Sequence, residues 1–195
     1  MVKYEQIFSE YDITQVGIRF DGEEEATVID TVGSANETME VRTVQKMKRN
    51  MPWKTRTKPT GSGEVAMKLH LPEDIYAKTY GMYVDGYKEG VMVYGTLSMH
   101  ATFCMTELVE DEDGNRKLVA YPCCSVKTGK SRSIEANAET IAEIEMTVAV
   151  DPDEDGQGYY SIIVDEEEDA ELVDQWIKAF DPVMVKESAE STLSD

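Results

Sequence analysis

Phe103-Cys-Met-Thr-Glu-Leu-Val109, Glu110-Asp-Glu-Asp-Gly-Asn115 and Arg116-Lys-Leu-Val-Ala-Tyr-Pro-Cys-Cys124 form the stretch whose reading decides the fold class. Apolar residues alternate, break off at an acidic turn containing glycine, and resume, which is the signal of a β-hairpin. A second stretch repeats the pattern: Glu143-Ile-Glu-Met-Thr-Val-Ala-Val150, the turn Asp151-Pro-Asp-Glu-Asp-Gly-Gln-Gly158, then Tyr159-Tyr-Ser-Ile-Ile-Val164. Two hairpins in series predict a sheet, and neither places a recognisable nucleophile, base or complete metal site. They read as building parts.

Working outward, strand-like alternation continues. Val16, Ile18 and Phe20 share a face before Asp21-Gly22 turns the chain into Ala26–Val32. Met39, Val41, Thr43 and Gln45 alternate into a segment punctuated by Pro52 and Pro59, with Trp53–Thr57 as its return. Proline removes a ladder donor, so this segment reads as a long exposed hairpin or loop and not as a central strand. After Gly61-Ser-Gly63, Val65, Met67, Leu69 and Leu71 fall on one face. Leu97, Met99, Ala101, Phe103 and Met105 alternate likewise and predict a half-buried strand.

Two helices are expected. Pro72, Glu73 and Asp74 suit a helix start and Gly81 an end. Leu172, Val173, Trp176, Ile177 and Phe180 share a helical face after the acidic run 165–169, and Asp181-Pro182 stops it. The fold class is therefore mainly β: two packed antiparallel sheets, sandwich- or barrel-like, with one flanking helix and a short second one. A single domain over residues 1–182 is expected, with a long extended loop at about 42–61 and a flexible tail at 183–195.

Composition narrows the function. No run of about 18 apolar residues is present to span a membrane as a helix, and the N-terminus lacks an apolar secretory segment. Three cysteines, two of them adjacent (Cys123, Cys124), do not describe a disulfide framework and fit a reduced chain. Net charge is −20 but uneven: residues 151–195 carry 15 acidic and 2 basic side chains. Residues 41–63 carry 7 basic side chains (Arg42, Lys46, Lys48, Arg49, Lys54, Arg56, Lys58) and no acidic one. The overall charge disfavours adhesion to DNA or anionic lipid. The basic stretch suits pairing with acidic surface, including another copy of the chain, and nucleic-acid binding is its second reading.

Catalytic and metal chemistry find little support. Asp151-Pro-Asp-Glu-Asp-Gly156 matches the first half of an EF-hand loop, yet the twelfth position, which should be a bidentate glutamate, is Ile162. It reads as a solvated acidic turn, and weak cation binding at Asp151–Asp155 stays open. His100 and Cys104 lie four residues apart on a predicted strand, roughly 13 Å, too far to share zinc. Both histidines, His70 and His100, are placed on polar faces of predicted strands. Gly61-Ser-Gly63 lacks the Lys-Ser/Thr of a phosphate loop, and the Tyr76–Tyr94 tyrosines read as core and interface packing. No enzyme activity and no cofactor are expected.

The order of these segments resembles the major tail proteins of long-tailed bacteriophages. Val16-Gly-Ile-Arg-Phe20, Gly61–Ile75 with Tyr80-Gly81, Asp111–Asn115 with Tyr121-Pro-Cys123, and Ile134–Ile144 leading to Asp155-Gly156 and Tyr159-Tyr160 carry the resemblance over about residues 13–165. It implies a structural virion protein of packed sheets that assembles as hexameric rings stacked into a hollow tail tube. DNA would pass through the lumen without specific binding. Its partners would be copies of itself and other tail proteins such as the tape measure, initiator and terminator, with no membrane contact. It would be located in the virion tail and assembled in the host cytoplasm. The ring-stacking segment would fall on Arg42, Lys46, Lys48, Arg49, Trp53, Lys54, Arg56 and Lys58. Tube subunits of phage-like injection or bacteriocin particles are the near alternative, and a soluble acidic ligand- or calcium-binding β domain the distant one.

Overall fold

The computed structural model describes residues 7–133, 136–137, 141–164 and 169–186. The acidic residues 165–168, parts of the 134–144 stretch and the tail beyond 186 therefore lie outside the described residues. Eight strands run in the order β1 Glu10–Phe20, β2 Thr27–Ile29, β3 Val32–Lys48, β4 Met51–Leu69, β5 Thr102–Asp111, β6 Arg116–Val126, β7 Ile144–Asp151 and β8 Tyr160–Val164. Helix α1 spans Glu73–Thr79 and α2 spans Ala170–Ala179, followed by a 3-10 turn at Pro182–Val185. The chain is mainly β as the alternation predicts. The strands form one antiparallel sheet, ordered β2-β1-β5-β6-β7-β4-β3, with β8 also paired to β6. What was expected as two packed sheets is one sheet curled on itself.

The first hairpin is confirmed by the β5–β6 register, from Thr102 opposite Ser125 to Glu110 opposite Arg116. The second is not a hairpin. β7 pairs with Cys123–Val126 and β8 with Arg116–Ala120, both antiparallel to β6. Since β5 occupies the other side of β6, β7 and β8 lie end to end and run the same way. The turn 151–159 is an excursion inside one line of strand. A polar, glycine-containing break signals that the strand stops, but it does not say whether the chain reverses.

The expected strand at 97–101 is also absent: Leu97 and Met99 are 77% and 84% exposed. Gly81 permits the path taken instead. It adopts φ +60°, and a Cβ there would lie 1.9 Å from the Met99 carbonyl oxygen. The backbone of 98–101 thus crosses the end of α1, with Ala101 N–H donating to Thr79 O at 3.0 Å, and the strand begins only at Thr102.

Burial divides into two cores. Inside the curl, Val16, Ile18, Phe20, Val65, Met67, Leu69, Phe103, Met105, Tyr121, Val148 and Val150 pack with α1. On the outer face of β5 and β6, Cys104, Leu108, Leu118, Ala120 and Val164 meet Trp176, Ile177 and Phe180 of α2. Strand β5 is consequently covered on both faces, which is why its sequence is a nearly unbroken buried run. The end of α2 is tied down by hydrogen bonds: Thr106 Oγ1 donates to Ile177 O, Arg19 to Phe180 O and Ala26 N–H to Lys178 O. These satisfy carbonyls that a helix end leaves open. Gly17 permits the approach, because a Cβ there would lie 2.4 Å from both Ile177 O and Thr106 Oγ1.

Candidate functional site

All eight residues expected in a ring-stacking segment lie on one feature, the part of the β3–β4 ribbon that projects past the sheet. β4 leaves its pairing with β7 at Gly63 opposite Val150, while β3 and β4 stay paired to Lys48 opposite Met51. The expected loop at 42–61 is therefore a regular two-stranded arm. Arg49 and Asn50 close it with φ of 52° and 62°, the mirror-image two-residue turn whose twist suits a hairpin.

The register sorts the arm into two unlike faces. Arg42 stands opposite Lys58, Val44 opposite Arg56 and Lys46 opposite Lys54, while Val41 faces Pro59, Thr43 faces Thr57 and Gln45 faces Thr55. Directly opposed residues share a face and successive residues alternate. One face therefore gathers Arg42, Lys46, Lys48, Lys54, Arg56 and Lys58, and the other is uncharged. Trp53 joins the cationic face through a register shift between Lys46 and Met47. The bulge re-aims its ring, which lies 5.4 Å from both Lys46 Nζ and Lys48 Nζ.

Two like-charge pairs thus stand directly across the arm, an arrangement that destabilises a ribbon on its own. Among the described residues, none of the seven arm cations forms an ion pair. Val41, Val44, Met47, Met51 and Trp53 are all more than half exposed. Strand β3, 17 residues long, also ends the sheet on one side, as β2 does on the other, and presents an unpaired edge. Charge, apolar surface and edge all lack a counterpart within the described chain.

The root of the arm is fixed against the 151–159 excursion. Gly61 has φ +85°, and a Cβ on it would lie 2.7 Å from Gly156 O. A Cβ on Gly158 would lie 1.8 Å from Gly61 O. Gly61-Ser-Gly63, read from sequence as a turn, is thus a seat where two backbones touch.

The acidic turns have an internal use. Asp111 Oδ1 accepts from the N–H groups of Asp113 and Asn115, and Oδ2 accepts from Asn115 Nδ2. Asp153 repeats the construction, with Oδ1 accepting from the N–H groups of Asp155 and Gln157 and Oδ2 from the Tyr160 hydroxyl at 2.6 Å. Burial opposes ionisation of Asp153, but these hydrogen bonds outweigh it and hold its carboxyl below the ordinary range. The EF-hand-like spacing therefore reflects an aspartate that organises its own turn. Among the described residues, no three His, Cys, Asp or Glu side chains are grouped to hold a metal ion.

His100 lies in the crossing segment and not on a strand: its Nδ1 is 2.7 Å from Val126 O and its Nε2 3.1 Å from the Tyr94 hydroxyl. Tyr76 and Tyr80 are buried, whereas Tyr83, Tyr87 and Tyr94 are exposed. Cys104 and Cys124 are buried on opposite sheet faces and Cys123 is exposed. No described helix is long and apolar enough to cross a membrane.

The fold and site together describe a mainly β domain with a projecting cationic arm. No family model matches the chain, and no curated protein matches it. Among solved structures, the cryo-EM structure of the anti-feeding prophage cap, which terminates that particle's tube, is similar with a TM-score of 0.45 and 10% identity, covering 82% of this chain and 96% of that one.

Proposed function

We propose that this chain is a structural tube subunit of a phage tail or phage-like injection particle, assembling as stacked hexameric rings. The observation that carries the reading is the arm: six cations and Trp53 on one face, without an ion-pair partner among the described residues, on a chain of net charge −20. Such a face fits the acidic body of a copy in the next ring, and the contact is heterologous, so rings add head to tail into a tube. Pairing or covering the β3 edge in the same contact removes the exposed edge. The segment order that resembles tail proteins supports the same reading. In such a tube, lumen carboxylates repel the phosphate backbone and DNA slides without sticking. The reading needs no catalytic chemistry.

Electron microscopy of the concentrated protein tests it, with rings or hollow tubes as the expected result. The triple variant Lys46→Glu, Lys48→Glu, Arg49→Glu is expected to stay folded and to form no tubes. Normal tubes from that variant would refute the role of the arm, and a strictly monomeric wild-type chain would refute assembly.

A further inference from the structure

A second site lies where the curled sheet fails to close. The first half of β1 and the start of β3 face each other without hydrogen-bonding, leaving a cavity of about 340 Å³ along the seam. Its carboxylates are Glu10 and Asp12 from β1, Glu37 from β3 and Glu107 from β5; Tyr11, Ser34, Tyr121 and Tyr159 complete its polar lining. Among the described residues, no lysine, arginine or histidine lines it.

Glu107 is the anomaly among these residues. It is 4% exposed, and its Oε1 is buried without a hydrogen-bond partner. A carboxylate oxygen left in that condition is costly. The other groups do not relieve it: Tyr121 donates its hydroxyl to Glu37 Oε2 at 2.8 Å. Lys117, outside the cavity, is committed to Glu10 Oε1 at 2.6 Å.

The lining also indicates the class of ligand. The carboxylates are not grouped for a metal ion, so a small hard cation has no cage. Dispersed carboxylates beside two tyrosine rings, with centroids 5.8 Å apart, suit an organic ammonium group, whose three N–H donors reach separate acceptors while its charge lies against aromatic faces. We propose that the seam cavity binds a primary ammonium group on a short alkyl chain, either a free amine or a lysine side chain of a second copy. The alkyl part meets Ile13, Val65 and Val109, which also line the cavity. Ionisation of Glu107, which faces Glu10, Glu37, Tyr121 and, further out, Lys117, accompanies binding. Affinity accordingly rises with pH.

The full-length chain titrated with butylammonium chloride, against sodium chloride at equal ionic strength, tests this by NMR chemical shift. Saturable shifts at residues of the seam are expected, weakened at least tenfold in Glu107→Gln and also in the more accessible Glu37→Gln. Affinity should be higher at pH 8 than at pH 6. Shifts that follow ionic strength alone, or binding unchanged in both variants, would overturn the proposal. Carbodiimide coupling of mixed ¹⁴N and ¹⁵N chains then separates the sources: a cross-isotope bond from Glu10 or Glu37 to lysine identifies a second copy, and butylammonium binding without one identifies a free amine. Tubes that form normally while butylammonium is ignored would remove this inference and leave the assembly reading intact.

Discussion

Replacing Glu107 by glutamine should stabilise the fold in alkaline solution and do little in acid. Burial is the main cause that raises the Glu107 carboxyl from its ordinary 4.5 to about 7, with the charges of Glu37 and Glu10 adding to it and Lys117 opposing. The raised value means that the native state holds its proton where the unfolded chain has lost it. Stability therefore declines as pH rises from about 4.5 to about 7 and stays reduced above that. A displacement of this size is worth roughly 3 kcal/mol at full extent. Glutamine keeps the shape and carries no charge, so this decline disappears in the variant. The measurement is chemical denaturation of both proteins at pH 5, 6, 7 and 8. The variant's advantage should grow by roughly 3 kcal/mol across the series, equivalent to about 6–12 °C in melting temperature for a chain of this size. A difference that stays flat with pH would show that Glu107 is not held protonated, and the reasoning would fail. Glu37→Gln should shrink the pH dependence only in part, because burial remains.

Other outcomes follow from the packing. Trp176→Ala should cost about 3–5 kcal/mol by emptying the second core, measured by urea denaturation, and should free the Val119 carbonyl to which its indole N–H donates. Thiol labelling should be fast at the exposed Cys123 and slow at Cys104, whose thiol burial pushes up to about 11; Gly17→Ala, by displacing α2, should speed the reaction of Cys104. Gly158→Ala should destabilise by about 1–3 kcal/mol, because its Cβ would strike the Gly61 carbonyl oxygen. Calcium titration should leave the melting temperature unchanged, and a rise of several degrees would show that Asp153 serves a cation as well as its own turn.

Period-two alternation made the strands legible, and where a segment has one buried face the reading held: Val16, Ile18 and Phe20, or Val65, Met67 and Leu69, are all buried. Helix α2 was legible for the same reason at period 3.6. Connectivity was harder to read. Nothing in Asp151–Gly158 distinguishes a reversal from an excursion, since that outcome depends on β6 offering pairing length to both β7 and β8. Leu97 and Met99 alternate like strand residues, but their path is the one that the contact of Gly81 with the Met99 backbone permits, and that contact joins residues far apart in local pattern. The arm's cations were visible as a charge run. Their segregation to one face depends on register and on the bulge at Trp53. The seam cavity left no sequence signal, because Glu107 sits in an alternating strand position that on its own marks only a face.

The seat between Gly61 and Gly158 has a mechanical consequence. The arm beyond it extends for eight residue pairs, roughly 26 Å at the rise of a strand, and among the described residues its anchorage outside its own ladder is at the root. It is a lever with its fulcrum beside the excursion. A tilt of about ten degrees at the seat would carry the tip about 5 Å, enough to miss one acceptor surface and meet another. In the proposed assembly, residues that touch no neighbouring subunit would therefore set the rise and rotation from one ring to the next. A single methyl group at the fulcrum would then alter the geometry of a whole assembly while leaving every contact residue in place.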